Sequence, residues 1–174
     1  MRRILSFLLV FTTLLSSMQA QIVATSDTAS GPSIPTTRIP GPNPTTTSVS
    51  PCFDTLVVQI PANRWVYSVD VQYDMLAANN GWKSEQFSYL SCTTTGNSET
   101  TISQGTGNQS GLQSYSRTGL NIANGATTTG TLVFRLDAFR TWGGPAACDS
   151  NVNKVEFCLP TQFNVFHREL RGNV

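Results

Sequence analysis

The sequence predicts an all-β fold, a two-sheet antiparallel β-sandwich of jelly-roll type, on three observations. Residues 65–75 carry an apolar side chain at every odd position and, after Val66, a polar one at every even position, which is the period of a half-buried antiparallel strand. Residues 131–138 repeat the pattern, with Leu132, Phe134, Leu136 and Ala138 on one face and Thr131, Arg135 and Asp137 on the other. Short strand-like runs lie around these two, separated by Gly-containing turns such as Asn80-Gly81, Gly96-Asn97 and Asn124-Gly125, and no window sustains a helical period. An immunoglobulin-like sandwich is the alternative. It would want a Cys and a Trp spaced for a bridge between sheets, and this chain does not supply that spacing.

From the amino terminus, Arg2 and Arg3 precede an apolar run over 4–15, and Ser16, Ser17 and Ala20 then provide small residues near a cut site. Residues 1–20 therefore read as a signal peptide, too short to span a hydrocarbon core, and no later apolar stretch is long enough to do so. Residues 21–51 are dominated by Ser, Thr, Pro and Gly, including Pro32, Pro35, Pro40, Pro42 and Pro44, and read as a disordered linker or stalk. Residues 52–165 then form one sandwich domain, long enough for one core but short for two. Its further strands are expected at 55–60, 87–92, 100–103, 114–118, 120–123 and 154–159, and 166–174 is a polar tail.

Export changes the meaning of Cys52, Cys92, Cys148 and Cys158, because an oxidising compartment turns an even number of thiols into disulfides. Three connectivities exist. Nesting, Cys52 with Cys158 and Cys92 with Cys148, is favoured because Cys52 opens the domain and Cys158 lies in its last expected strand. Zinc ligation would need closer pairs of the C-x-x-C kind. The charge balance, 11 Lys and Arg against 10 Asp and Glu with one His, leaves no basic excess to hold a polyanion, so nucleic acid is not an expected partner. Charged residues make up 12% of the chain, against about 25% in ordinary soluble domains, which suits a secreted β-rich protein.

Three stretches, Asn79-Asn80-Gly81-Trp82-Lys83-Ser84-Glu85-Gln86, Ser114-Tyr115-Ser116-Arg117-Thr118-Gly119-Leu120, and Arg140-Thr141-Trp142-Gly143-Gly144 followed by Cys148, together resemble the β-sandwich modules, often repeated, of large secreted bacterial surface proteins. The resemblance spans about residues 60–157. It implies an exported sandwich and pairing of Cys92 with Cys148, which fall at the module's own cysteine positions, but it implies no ligand. The chain departs from that pattern in being a single module and in having the extra pair Cys52 and Cys158.

Catalytic constellations are sparse. His167 is the only histidine and falls in the tail, so a triad has no well-placed base and no catalytic residue is assigned. A glycosidase needs two carboxylates about 5–9.5 Å apart, whereas Asp70 and Asp74 on one strand face stand roughly 13 Å apart at the backbone. A cross-strand pair such as Asp70 with Asp137 keeps a glycoside-active enzyme as the third reading. Asp149, Asn151 and Asn153 alternate like the start of a calcium loop, but Lys154 and Pro160 stand where a complete loop has Gly and Glu, so an Asx-rich turn competes with a calcium site and no cofactor is otherwise expected. Gly105-Thr106-Gly107 reads as a flexible loop.

Trp82 and Trp142 adjoin Gly-rich turns and are expected at loops, where aromatic faces can stack on sugar rings and Asn80, Lys83, Glu85 and Arg140 can bond hydroxyls. The competing reading has both indoles capping the core, with Glu85 and Arg140 tying the loops together as an ion pair. The expectation is a secreted, non-catalytic module for adhesion or carbohydrate binding, its partner a glycan or an extracellular surface. A structural component of an extracellular matrix or cell envelope is the alternative.

Overall fold

Alternating polarity is realised as strands throughout the computed structural model, which describes residues 22–28, 34–39, 42–78, 80–126, 130–143, 157–158 and 162–169. In chain order these are β1 (Ile22–Thr28), β2 (Ile34–Pro35), β3 (Thr37–Arg38), β4 (Phe53–Gln59), β5 (Arg64–Ala77), a one-turn 3-10 helix at Lys83–Glu85, β6 (Gln86–Cys92), β7 (Asn97–Ser98), β8 (Ser103–Gln104), β9 (Gly111–Leu120), β10 (Thr131–Arg140), β11 (Phe157–Cys158) and β12 (Gln162–Glu169). The fold is all-β, and the strands of the described residues form two six-stranded sheets. No helix among the described residues is long and apolar enough to cross a membrane. The expected signal peptide, 1–20, lies outside the described residues.

The two strands with the clearest alternation organise one sheet each. In the first, β5 is central: β9 pairs along one edge, while β12 and then β11 pair along the other, flanked by β1 and β2 respectively. In the second, β10 is central, with β4 and the short parallel β3 along one edge and β6 along the other, and β7 and β8 pair on the far edge of β6. One apolar cluster draws on both sheets: Val66, Val69, Val71, Tyr73 and Met75 from β5 meet Leu56 and Val58 of β4, Leu90 and Cys92 of β6, and Leu132, Phe134, Leu136 and Ala138 of β10.

The simple odd-even reading of β5 fails in its first turn of pleat. Val66 is buried, whereas Trp65 and Tyr67 are exposed, Tyr67 at 55%. The cause is an irregular register: β12 pairs Phe166 with Ser68 but His167 with Val66, so Tyr67 is the extra residue of a bulge. One inserted residue exchanges the two faces of a strand, and odd positions turn inward only from Val69 onward.

Further differences lie at the borders of the expected domain. The stretch read as a linker contributes β1, β2 and β3, and its residues 36–39 and 42–50 lie against the outer face of the β10 sheet. That stretch has no hydrophobic period, and its order comes from buried polar partners. Ser50 N donates to Asp137 Oδ1 (2.9 Å), Arg135 Nη2 and Tyr89 Oη donate to the carbonyls of Ser50 (2.8 Å) and Ser48 (2.7 Å), and the hydroxyls of Thr37 and Ser50 bond each other. Beneath this strap a second apolar cluster, Phe87, Tyr89 and Phe139 with Ile39 and Ile102 against it, buries the outer face that alternation assigned to solvent. The expected strands 114–118 and 120–123 are instead a single β9 with Ile122 and Ala123 in the following turn, and β12 continues to Glu169 through the start of the expected tail.

The cysteine expectation is corrected at one site. Cys92 is a free thiol with no exposure, held inside the apolar cluster at the end of β6 opposite Phe134, so the Cys92–Cys148 bridge is not formed. An inward-facing residue of a central pair packs as a small hydrophobe. Cys52 is disulfide-bonded, to a partner whose side chain is not among those described.

Candidate functional site

Three loops meet at the end of the molecule where β5 and β10 finish. After β5 the chain turns at Asn80, in the left-handed region at φ 67°, a conformation that Asn tolerates. It then enters the 3-10 turn, where Trp82 N donates to Glu85 Oε2 (2.9 Å) and Glu85 N to the Trp82 carbonyl (3.0 Å). β10 ends beside this turn, with Arg140 in register with Gln86 and Thr141 N donating to the Glu85 carbonyl (3.1 Å). The two tryptophan loops, 60 residues apart in sequence by their numbering, are thus joined backbone to backbone.

Residues 105–110 form the third loop. Lys83 N and Ser84 N donate to the carbonyls of Gln109 (3.1 Å) and Gly107 (3.0 Å), Ser84 Oγ to Asn108 Oδ1 (3.0 Å), and Ser110 Oγ to the Gly81 carbonyl (2.8 Å). A Cβ at Gly105 would collide with the Lys83 carbonyl oxygen, so only glycine permits this approach. The Gly105-Thr106-Gly107 stretch, expected to be flexible, is braced against the Trp82 loop; the run of Gly, Gln, Asn and Ser was the sole signal, and it does not reveal a partner.

The candidate residues divide in two. Trp82 and Trp142 are 46% and 39% exposed, Asn80 is exposed, and Lys83 and Glu85 are half-buried at the same loops. Arg140 is not at the rim. It is 1% exposed, and its Nη1 donates to the Thr36 carbonyl and to Thr36 Oγ1 (3.1 Å), so it holds the strap and is corrected from a ligand-facing to an internal residue. The proposed carboxylate pair is not brought together: Asp70 accepts from Gly119 N (2.8 Å) on the outer side of the β5 sheet, whereas Asp137 lies under the strap on the outer side of the β10 sheet. Asp149, Asn151 and Asn153 lie outside the described residues.

A polar cluster that alternation did not anticipate closes the seam between the sheets beside β9. Arg117 Nη1 donates to Tyr73 Oη (2.6 Å) and Ser103 Oγ (2.9 Å), while its Nε stands 2.8 Å from Glu99 Oε1. Glu99 Oε2 accepts from Leu90 N (2.6 Å), and Tyr73 and Ser88 share a hydroxyl hydrogen bond. Tyr73 stacks on Tyr115, with ring centroids 5.2 Å apart, and carries the Arg117 guanidinium over its face. Burial is the main influence on Glu99 and raises its pKa above the usual carboxylate value, against the opposing pull of Arg117 and the Leu90 amide. The sequence signal was weak, an Arg in a Ser/Thr-rich strand and a Glu in a turn.

The chain matches no family model and no curated protein.

Proposed function

We propose that this protein is an exported β-sandwich module of jelly-roll type that binds glycans through its tryptophan loops and thereby serves adhesion. The observation that carries the reading is the pair Trp82 and Trp142, both substantially exposed on loops joined by the Thr141–Glu85 hydrogen bond. A large aromatic is ordinarily buried, and leaving two in water at one end forgoes roughly 1.5–3 kcal/mol apiece of burial that a ligand can recover. Asn80, Lys83 and Glu85 on one loop and Asn108 and Gln109 on the next supply donors and acceptors suited to hydroxyls at the same end of the molecule. The braced loops favour binding without a large ordering cost. Strand pairing that leaves loops at both ends, and a core shared by two sheets, support the sandwich arrangement.

A glycan-array screen of the secreted protein, beside a folded Trp82→Ala, Trp142→Ala double variant, tests the reading. Binding by the wild type that disappears in the variant is the expected result. Absence of wild-type binding, or binding that survives the double substitution, rejects the loop site. A structural role in a matrix or envelope would then stand first, favoured by Val49, Phe53 and Val57 exposed along the outer side of the β10 sheet.

A further inference from the structure

Away from the tryptophan loops, a cavity of about 180 Å³ opens between the chain after β7 and the end of β9, lined by Glu99, Thr100, Thr101, Leu120, Asn121 and Ile122. Its shape is held from several sides. Glu99 is fixed by paired backbone and side-chain bonds to Leu90, its amide donating to the Leu90 carbonyl (3.0 Å) while Leu90 N reaches its carboxylate. Thr95 Oγ1 donates to the Ile122 carbonyl (2.6 Å) and ties down the opposite wall.

The lining chemistry narrows the ligand. Glu99 is paired with Arg117, so the floor has no net charge to attract a cation or an anion. Each carboxylate oxygen has two lone-pair directions, and with one protein partner apiece each retains a site for a hydroxyl donor. Thr100, Thr101 and Asn121 are exposed at the mouth and supply both donors and acceptors, while half-buried Leu120 forms an apolar wall. A ligand must therefore be neutral, rich in hydroxyls and apolar on one face. The volume corresponds to about six waters at roughly 30 Å³ each, the scale of one sugar ring and not of an oligosaccharide.

We propose that this cavity is a second binding site, independent of the tryptophan loops, for a single neutral pyranose ring. Glu99 accepts hydrogen bonds from ring hydroxyls, Asn121 and the two threonines bond the remaining ones, and the C–H face lies on Leu120. The ring is held as a free monosaccharide or as the terminal residue of a glycan.

The test is a heteronuclear NMR titration of the full chain with glucose, galactose, mannose and N-acetylglucosamine to tens of millimolar. At least one sugar is expected to shift the amides of 99–101 and 120–122. Asn121→Ala should weaken that binding about fivefold, the loss of one hydrogen bond. Thr101→Trp, placed at an exposed position to fill the mouth, should abolish the shifts while leaving the rest of the spectrum in place. The Trp82→Ala, Trp142→Ala variant should retain them, which separates this site from the loop site. No shift at these amides with any of the four sugars, or shifts undiminished in Thr101→Trp, overturns the proposal.

Discussion

At Asp137 a carboxylate with 1% exposure accepts from Ser50 N and, in fork geometry, from Arg135 Nε (2.8 Å) and Nη2 (2.9 Å), while the Arg135 guanidinium also covers the Phe53 ring at 3.8 Å. Removing Asp137 leaves the part-buried Arg135 guanidinium and the buried Ser50 amide without their acceptor, so Asp137→Ala should lower unfolding free energy by about 1–3 kcal/mol in urea titrations. An effect below about 1 kcal/mol would contradict this account. Glu99 makes a different prediction. Its pKa is raised in the folded state above the unfolded 4.5, so the native protein binds its proton first and this residue's contribution to stability is present below pH 4.5 and lost as pH rises through the folded value. Wild type should therefore gain stability relative to Glu99→Gln as pH is lowered from neutrality toward 4.5, read by denaturant unfolding at several pH values. Residue-scale chemistry was partly legible. Trp82 and Trp142 could be placed at loops from their Gly-rich neighbours, whereas Arg140 and Asp137 looked exposed because their partners, Thr36 and Ser50, stand about a hundred residues earlier in a stretch with no apolar period.

The elements with a strong period were legible in the sequence, since alternation over β5 and β10 gave both central strands. The bulge in β5 was not, because a register shift depends on the partner strand and leaves no mark in the strand's own pattern. It yields a sharp contrast: Tyr67→Ala should change stability by less than about 0.5 kcal/mol, whereas Val66→Ala should cost roughly 2 kcal/mol, the reverse of what odd-even counting implies. The strap makes a larger claim. Deleting residues 1–50 removes the cover of Phe87, Tyr89 and Phe139 together with the Ser50 partners of Asp137 and Arg135. Such a chain should bind a hydrophobic dye and unfold at lower urea concentration than one starting at residue 36, which lacks β1 and β2 equally but keeps the strap. Equal dye binding and stability in the two would show that the strap is dispensable.

Across the whole molecule, the all-β class followed from period and turn spacing, while the edges of the domain did not, because short edge strands are specified by what they lie against. Cysteine count suggested two bridges, yet burial decides otherwise for Cys92, whose thiol should resist a disulfide-exchange reagent in the native state and react once the chain is unfolded. Rapid labelling of Cys92 in the folded protein would contradict its place in the core. Peptide mapping without reduction should find Cys52 joined to Cys158, the pairing expected from chain order.

The strap also orders events in time. Residues 36–39 and 42–50 leave the ribosome well before β10, yet three of their anchors, Asp137, Arg135 and Arg140, belong to that strand. Closing contacts across 85–104 residues carries a loop-entropy cost, and the strap's own hydrogen-bonded structure is a single turn at Thr45–Ser48 among the described residues. The first part of the domain to be made is therefore the last to settle, and until β10 arrives the Phe87 and Tyr89 face of β6 stands open to whatever assists or traps a nascent chain.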